Sequence, residues 1–241
     1  MAHLVELRSR LMKSLLVILI LFLCLFYFAN DLYRLLAEPL IAQLPEGSRL
    51  IATDVVSPFF IPFKLTIVTA FFLAMPFILH QVWQFISPGL YQHEKRFAIP
   101  LLATSILLFY AGMAFAYFVI FPLAFNFFAG AGPEGVSYLP DISSYLSVAL
   151  KFFFAFGLAF EIPIATLLMV LSGVTTVPAL KAKRPYVIVG AFIAGMLLTP
   201  PDVISQVLLA VPMWILFELG IMFAGLLGKS DKKVTEAENQ G

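Results

Sequence analysis

The sequence predicts an all-α integral membrane protein with six transmembrane helices, and three observations support this fold class. The 241-residue chain is 61% hydrophobic and only 12% charged, whereas soluble domains are about a quarter charged. Its apolar residues lie in runs of about 20, the length that an α-helix needs to cross a bilayer. Its basic residues cluster at alternate connections between those runs, as they do in multi-pass proteins.

Four long apolar runs each predict one crossing, and a fifth run predicts two short ones. The first run is retained rather than cleaved as a secretory signal, because Phe26 and Phe28 stand where a cleavage site requires small residues. The fifth run, residues 185–217, is too long for one helix and is interrupted at Thr199–Asp202 (TPPD), where proline stops a helix. The predicted spans are residues 11–29, 65–86, 97–122, 150–171, 186–198 and 203–223.

The fifth predicted span is shorter than a bilayer is thick. At about 1.5 Å per residue it reaches about 20 Å, less than the hydrocarbon core of ~30 Å. This length implies a locally thinned bilayer or a turn buried in the membrane. Prolines within the other spans predict kinks and together a curved bundle; they are Pro62, Pro76, Pro163 and Pro212.

The distribution of lysine and arginine predicts that both termini are cytoplasmic. Six crossings place both ends on one side of the membrane, and that side carries eleven of the fifteen basic residues. Five crossings would put the lysine-rich C-terminal tail on the opposite side, against this rule. The eleven residues are Arg8, Arg10, Lys13, Lys95, Arg96, Lys181, Lys183, Arg184, Lys229, Lys232 and Lys233.

Residues 1–228 are expected to form a single transmembrane domain, followed by a disordered cytoplasmic tail at residues 229–241. The segment Tyr33–Leu44 has amphipathic helical spacing and is expected to lie at the outer membrane interface. Asp141, which two serines follow closely, is predicted to cap the helix that becomes the fourth span.

The sequence contains no catalytic or metal-binding pattern, so it predicts neither an enzyme nor a cofactor. His93 and Glu94 begin the zinc-binding pattern HExxH, but Phe97 occupies the position of its second histidine. The single cysteine, Cys24, lies in an apolar run and is interpreted as a packing residue. The net charge of +1 leaves no basic surface for nucleic acid.

Glu161 is an ionisable residue near the middle of the fourth span, where burial of a charge in the membrane is unfavourable. A charged side chain there is unfavourable by several kcal/mol, so it should face a cavity or a partner, or be protonated. Two explanations remain open: a hydrogen bond that holds helices together, or a binding or proton-linked role. Gln206, one turn after Asp202, is a weaker case of the same kind.

Two acids stand among the bases of the cytoplasmic side, Glu6 in HLVELRSRL and Glu94 in LYQHEKRF. One explanation is simple neutralisation, because Glu6 and Arg10 have the i, i+4 spacing of a helical ion pair. The other is an acidic pocket for a cationic ligand at the level of the lipid headgroups. The pattern alone leaves both open.

The chain resembles the TatC family, the polytopic receptor subunits of the twin-arginine protein translocase, and most closely its proteobacterial members. The resemblance covers nearly the whole chain. It rests on HLVELRSRL near the start, AEPL at Ala37–Leu40, ATDVVSPFF at Ala52–Phe60, QVWQFISPGLYQHEKR, FAYFVIFPLAF, AFGLAFEIP, KRPYVIVGAF and GMLLTPPDVISQ.

This resemblance implies a glove-like six-helix fold in the bacterial cytoplasmic (inner) membrane that binds twin-arginine signal peptides of folded cargo. It also implies the single-span partners TatB and TatA, self-association in a multi-copy complex, contact with membrane lipid and export driven by the proton-motive force. The implied signal-peptide site comprises Glu6, Arg8, Phe85, Glu94, Lys95 and Arg96. The positions implied for transport or partner contact are Pro39, Glu161, Met196, Asp202 and Gln206.

A paired arginine suits a site made of carboxylates. Each planar guanidinium can bind a carboxylate through two parallel hydrogen bonds, which a lysine ammonium cannot reproduce. Glu6 and Glu94 would supply the two carboxylates from distant segments of the chain, and the apolar part of the signal peptide would pack on a phenylalanine-rich wall.

Two other classes of protein are weighed against a receptor for protein export. A secondary transporter of a small solute is suggested by Glu161, Lys64 and Lys151 near the spans, but internal repeats are lacking. An intramembrane enzyme lacks every required constellation of residues.

Overall fold

The structure is a computed structural model that describes residues 2–33, 51–86, 98–130, 141–198 and 203–238, and the regular elements in these ranges are helices. The helices are α1 (Ala2–Phe26), α2 (Ser57–Ile86), α3 (Ala98–Phe115), α4 (Phe121–Gly130), α5 (Ile142–Ala159), α6 (Ile162–Leu171), α7 (Val177–Ala182), α8 (Arg184–Leu198) and α9 (Val203–Glu238). A π-helical stretch, Ala116–Ile120, joins α3 to α4.

The predicted all-α membrane class is confirmed. Five helical stretches within the described residues are long and apolar enough to cross a membrane: Val5–Phe26, Ser57–Phe85, Ile99–Ala124, Ile142–Leu171 and Gln206–Leu226. The remaining apolar helix, α8, has 15 residues, as the short fifth span requires. A gap between α8 and α9 contains the TPPD sequence.

Three long helices begin earlier than predicted, because hydropathy marks the apolar part of a helix and not its polar end. Helix α1 begins at Ala2 rather than at residue 11. Helix α2 begins at Ser57 rather than at residue 65, just after Asp54, whose carboxylate accepts a hydrogen bond from the Ser57 hydroxyl at 3.0 Å. Helix α5 begins at Ile142 rather than at residue 150.

The C-terminal end also differs from the prediction. Helix α9 continues to Glu238, through ten residues of the tail that were expected to be disordered. The tail sequence KSDKKVTEAE contains neither glycine nor proline after Gly228, and lysine, glutamate and alanine are good helix formers. Intrinsic propensity therefore favours continuation of the helix.

Contacts divide the chain into two compact units. Unit 1 comprises Met1–Phe85 and Ala116–Phe152, and unit 2 comprises Ile86–Phe115 and Phe153–Gly241. Long helices contribute residues to both units, since about 30 residues extend for about 45 Å.

Unit 1 is held by aromatic packing and by two polar ties between α2 and α5. The Phe121 and Phe152 rings lie 5.9 Å apart in its core. Lys64 of α2 donates a hydrogen bond from Nζ to the Ser147 hydroxyl of α5 at 2.7 Å. The second tie, at Asp141, lies at the start of α5. Both helices begin on the same side, so they run parallel.

Unit 2 is built on α9, which packs against α6 and α8. Small residues make the approach of α6 and α9 possible. A Cβ atom on Gly220 of α9 would lie 2.9 Å from the Pro163 Cα and would overlap the Thr166 side chain. Alanine, methionine and leucine fill the core where α5, α8 and α9 meet: Ala155, Ala159, Ala191, Ala210, Met213 and Leu216.

Candidate functional site

Glu6 lies on the second turn of α1, where it is paired with Arg10 one turn later. Two donors of the Arg10 guanidinium, Nε at 3.1 Å and Nη2 at 2.5 Å, bind the same oxygen, Glu6 Oε1. The Glu6 side chain remains 37% exposed. The neutralisation predicted from the i, i+4 spacing is therefore confirmed for Glu6.

Arg10 also connects α1 to the end of α2. Its Nη1 donates to the side-chain oxygen of Gln84 at 2.6 Å and, at 3.4 Å, to that of Gln81. Its Nη2 lies 3.4 Å from the Gln84 carbonyl. The Gln84 amide lies 3.1 Å from the ring nitrogen Nε2 of His80. One guanidinium thus joins a carboxylate of α1 to a polar group of α2, all within unit 1.

The other predicted signal-peptide residues fall into two groups. Arg8 is exposed on α1, and Phe85 is half-buried directly after Gln84 near the end of α2. Glu94, Lys95 and Arg96 lie outside the described residues, in the connection 87–97 between α2 and α3.

Glu161 lies at a break between α5 and α6 rather than inside a continuous helix. Pro163 causes the break, because it lacks a backbone donor and its ring crowds the preceding turn. The Ser105 hydroxyl of α3 donates a hydrogen bond to Glu161 Oε2. The other oxygen, Oε1, is buried and has no hydrogen-bond partner among the described residues. The predicted contact between helices is therefore present at Oε2, whereas Oε1 remains without a partner among the described residues.

A second acid in the membrane was missed by the sequence analysis. Glu218 of α9 accepts a hydrogen bond from Arg184 Nη2 at the start of α8, at 2.5 Å. Its second oxygen is likewise buried without a partner among the residues described. The signal was a lone glutamate in the apolar run WILFELGIMF, the same signal that singled out Glu161.

The predicted partner-contact residues at the other end of α8 are partly described. Met196 of α8 is 51% exposed, and its neighbour Gly195 approaches α9, where a Cβ would lie 3.5 Å from the Gln206 Cα. Gln206 itself is half-buried. Pro39 and Asp202 lie outside the described residues.

We call the end of unit 1 that contains Glu6 the inner end and the opposite end the outer end, following the predicted topology. At the outer end Asp141 caps α5 as predicted. Its Oδ1 accepts a hydrogen bond from the Ser144 backbone N–H at 2.9 Å. Its Oδ2 accepts two more, from the Thr53 N–H at 3.1 Å and the Thr53 hydroxyl at 2.8 Å. The Ile142 N–H also binds the Ile51 carbonyl at 2.9 Å. The donors at Ser144 and Thr53 hold the pKa of Asp141 well below its ordinary value.

Comparison with known proteins identifies the family. The profile described as Sec-independent protein translocase protein (TatC) matches residues 2–212. The chain belongs to the TatC family. It is 62% identical to the TatC of Azotobacter chroococcum mcd 1 over 92% of this chain and 87% of that protein. It is 58% identical to the TatC of Escherichia coli K12 over 92% of this chain and 86% of its relative.

A solved TatC structure supports the same assignment. The crystal structure of a twin arginine translocase receptor TatC superposes with a TM-score of 0.83 at 43% identity, over 93% of this chain and 98% of that one. Membership of the TatC family and the apolar helices together make this chain a multi-pass membrane protein of a protein-translocase family.

Proposed function

We propose that this chain is the receptor component of a Sec-independent protein translocase in the bacterial inner membrane, with both termini cytoplasmic. It binds twin-arginine signal peptides of folded cargo at the cytoplasmic face. With TatB and TatA it mediates export driven by the proton-motive force. Family membership over residues 2–212 supports this function, as does the likeness to a solved twin arginine translocase receptor.

The observation that carries the proposal is that Glu6 already holds a guanidinium. Two N–H donors of Arg10 bind one carboxylate oxygen at 3.1 and 2.5 Å, which is the chemistry that a client arginine requires. The carboxylate lies near the start of the first span, where a peptide arriving from the cytoplasm meets the membrane. Its partial exposure leaves room for a ligand.

The second carboxylate of the proposed signal-peptide site is Glu94, as the family resemblance implies. Lys95, Arg96 and Arg8 keep this side of the protein cytoplasmic. Phe85 provides an aromatic surface for the apolar part of the signal peptide.

Partner contact and transport are assigned to a second group of residues. Met196 presents an exposed apolar side chain on α8, suited to a partner helix. Glu161 has a buried oxygen without a partner among the described residues, suited to a donor from another chain. Pro39, Asp202 and Gln206 complete this group as the family resemblance implies.

The receptor site is tested by photocrosslinking and export. Glu94→Ala and Glu6→Ala should each lower crosslinking of a twin-arginine precursor and its export, while the precursor with paired lysines stays poorly bound. Asp31→Ala removes an exposed acid beyond the opposite end of the first span and should change neither measurement. Unchanged crosslinking and export in Glu94→Ala would contradict the site. Uptake of a small solute by liposomes that hold this chain alone would favour a secondary transporter instead.

The transport role of Glu161 is tested separately. Glu161→Ala should lower export of a twin-arginine cargo while the amount of protein in the membrane stays normal. A fall in the amount of protein would instead assign Glu161 to helix packing alone, with Ser105 as its partner.

A further inference from the structure

We infer that Arg10 is an internal competitor for Glu6, which the first arginine of a client must displace before the signal peptide is held. This inference rests on the proposed signal-peptide site and adds to it a residue that sets the affinity a client needs. Arg10 offers Glu6 the same functional group that the client offers. In the structure this group occupies the carboxylate that the client needs.

The geometry of the pair leaves one side of the carboxylate open. Both hydrogen bonds from Arg10 reach Oε1, and within the described residues none reaches Oε2. The Glu6 side chain is 37% exposed, about twice the 19% of Arg10. An incoming guanidinium can therefore bind Oε2 first and take over the carboxylate while Arg10 leaves.

Arg10 has other acceptors to receive it when it leaves Glu6. The Gln84 side-chain oxygen is already bound at 2.6 Å, and the Gln84 carbonyl and the Gln81 side-chain oxygen lie 3.4 Å away. A guanidinium has five N–H donors, so it keeps hydrogen bonds to α2 after losing those to Glu6. Exchange therefore leaves Nη1 and Nη2 of Arg10 with acceptors on α2, and only Nε gives up its partner, which keeps the cost low.

An internal competitor raises the affinity for Glu6 that a client needs in order to bind. Arg10 is held on the same helix as Glu6, so its effective concentration is high and a weak ligand does not displace it. A guanidinium can replace it with equal geometry. A lysine ammonium brings the charge without the planar fork, so it binds more weakly from the start. Because Arg10 weakens both ligands by the same factor, it should leave an arginine client bound at concentrations where a lysine client is not.

The experiment uses the full chain in lipid nanodiscs and two synthetic signal peptides that differ only in an Arg-Arg or a Lys-Lys pair. Fluorescence anisotropy gives the Kd of each. Arg10→Gln removes the competitor, so the Arg-Arg peptide should bind about two- to five-fold tighter, the range expected for loss of an exposed ion pair. The Lys-Lys peptide should gain by the same factor, because both peptides displace the same group, so the ratio of the two Kd values should stay constant.

Lys13→Gln is the matched control, because Lys13 is an exposed cation on the same helix, three residues further on. It removes the same charge without touching Glu6. An equal gain in affinity in Lys13→Gln and Arg10→Gln would reduce the effect to net charge and overturn the inference.

Gln84→Leu separates competition from a purely structural role. It removes the nearest of the three acceptors that receive Arg10, the Gln84 side-chain oxygen at 2.6 Å, so Arg10 should hold Glu6 more firmly and the Arg-Arg peptide should bind more weakly. Competition therefore predicts opposite changes in Arg10→Gln and Gln84→Leu. If Arg10 only fastens α1 to α2, both variants should weaken binding, and that result would overturn the inference.

Glu6→Gln distinguishes failure of this inference from failure of the proposed site. If Glu6→Gln leaves the affinity for the Arg-Arg peptide unchanged, the assignment of Glu6 as receptor carboxylate fails and the competitor fails with it. If Glu6→Gln weakens binding while Arg10→Gln does not strengthen it, the site stands and only the competitor is rejected.

Discussion

The inner and outer ends of unit 1 each contain an acid that ties two segments together, but they do so with different donors. At the outer end, Asp141 is bound by two backbone N–H groups and a threonine hydroxyl. At the inner end, Glu6 is bound by the guanidinium of a long side chain that has further acceptors of its own.

This difference separates a structural contact from an exchangeable one. Backbone donors are fixed in place by the fold, so a ligand cannot take Asp141 without unfolding the start of α5. A side-chain donor swings away at the cost of a few rotamers. An acid bound by an arginine at a membrane boundary is therefore a better candidate for ligand binding than an acid bound by the backbone.

The largest expected effect is that a substitution at the inner end changes peptide binding alone, whereas a substitution at the outer end changes thermal stability alone. Glu6→Gln should weaken binding of an Arg-Arg peptide about tenfold or more, because a hydrogen bond to a charged group contributes about 1.5–3 kcal/mol. It should leave the thermal stability in detergent unchanged. Asp141→Asn should lower the melting temperature by several degrees and leave the Kd unchanged. Equal loss of binding in both variants would show that the two ends are not independent.

A close contact in unit 2 extends the comparison to a site that has no ligand role. Gly220→Ala places a Cβ against the Pro163 backbone, and overpacking of this kind costs about 1–3 kcal/mol. It should lower thermal stability as Asp141→Asn does. Gly225→Ala on the same helix is the control, because its Cβ meets no atom within 4 Å and should leave stability equal or slightly higher. Equal destabilisation by both substitutions would contradict the close contact.

Salt should weaken peptide binding at the inner end, where Glu6 lies, and should not change the stability that Asp141 provides at the outer end. Raising ionic strength from about 0.05 to about 0.5 M shortens the screening length, so binding of the Arg-Arg peptide to exposed Glu6 should weaken a few-fold. The difference in melting temperature between the wild-type protein and Asp141→Asn should stay constant, since it depends on short hydrogen bonds. Measurement of the Kd and of the difference in melting temperature at each salt concentration, in one buffer series, tests this expectation. A Kd that does not change with salt would contradict an ion pair between Glu6 and the arginine of the peptide.

The smallest expected effect is a pH dependence at the outer end. The pKa of Asp141 is lower in the folded chain than the ~3.9 of an unfolded aspartate. Its stabilising contribution is therefore complete above about pH 5 and is lost progressively as the pH falls from about 4 towards the folded pKa. The melting temperatures of wild-type protein and Asp141→Asn should differ by a constant amount from pH 7 to pH 5, and this difference should begin to shrink below about pH 4. A difference at pH 3 as large as the difference at pH 7 would contradict this assignment.

Features that depend on local sequence were predictable. The apolar runs gave the helices, the TPPD sequence marked the gap between α8 and α9, and Asp141 was identified as a cap. Each of these depends on residues within a few positions of one another. The i, i+4 spacing likewise predicted the pair of Glu6 and Arg10.

Features that depend on packing between distant segments were not predictable. The contact of Arg10 with Gln84 joins residues 74 positions apart, and the pair of Arg184 and Glu218 spans 34. Periodicity reports which face of a helix is apolar, but not which neighbour supplies the partner of a polar group. The division into two units has the same origin, because it depends on which helices touch.

The two polar contacts beside α2 and α5 have a mechanical consequence. Thr53 and Asp141 join the segments just before these parallel helices, and Lys64 and Ser147 join the helices themselves further along. Contacts at two depths oppose sliding of one helix along the other more than a single contact would. A pull on the segment before α2 would be passed through Thr53 and Asp141 to the start of α5.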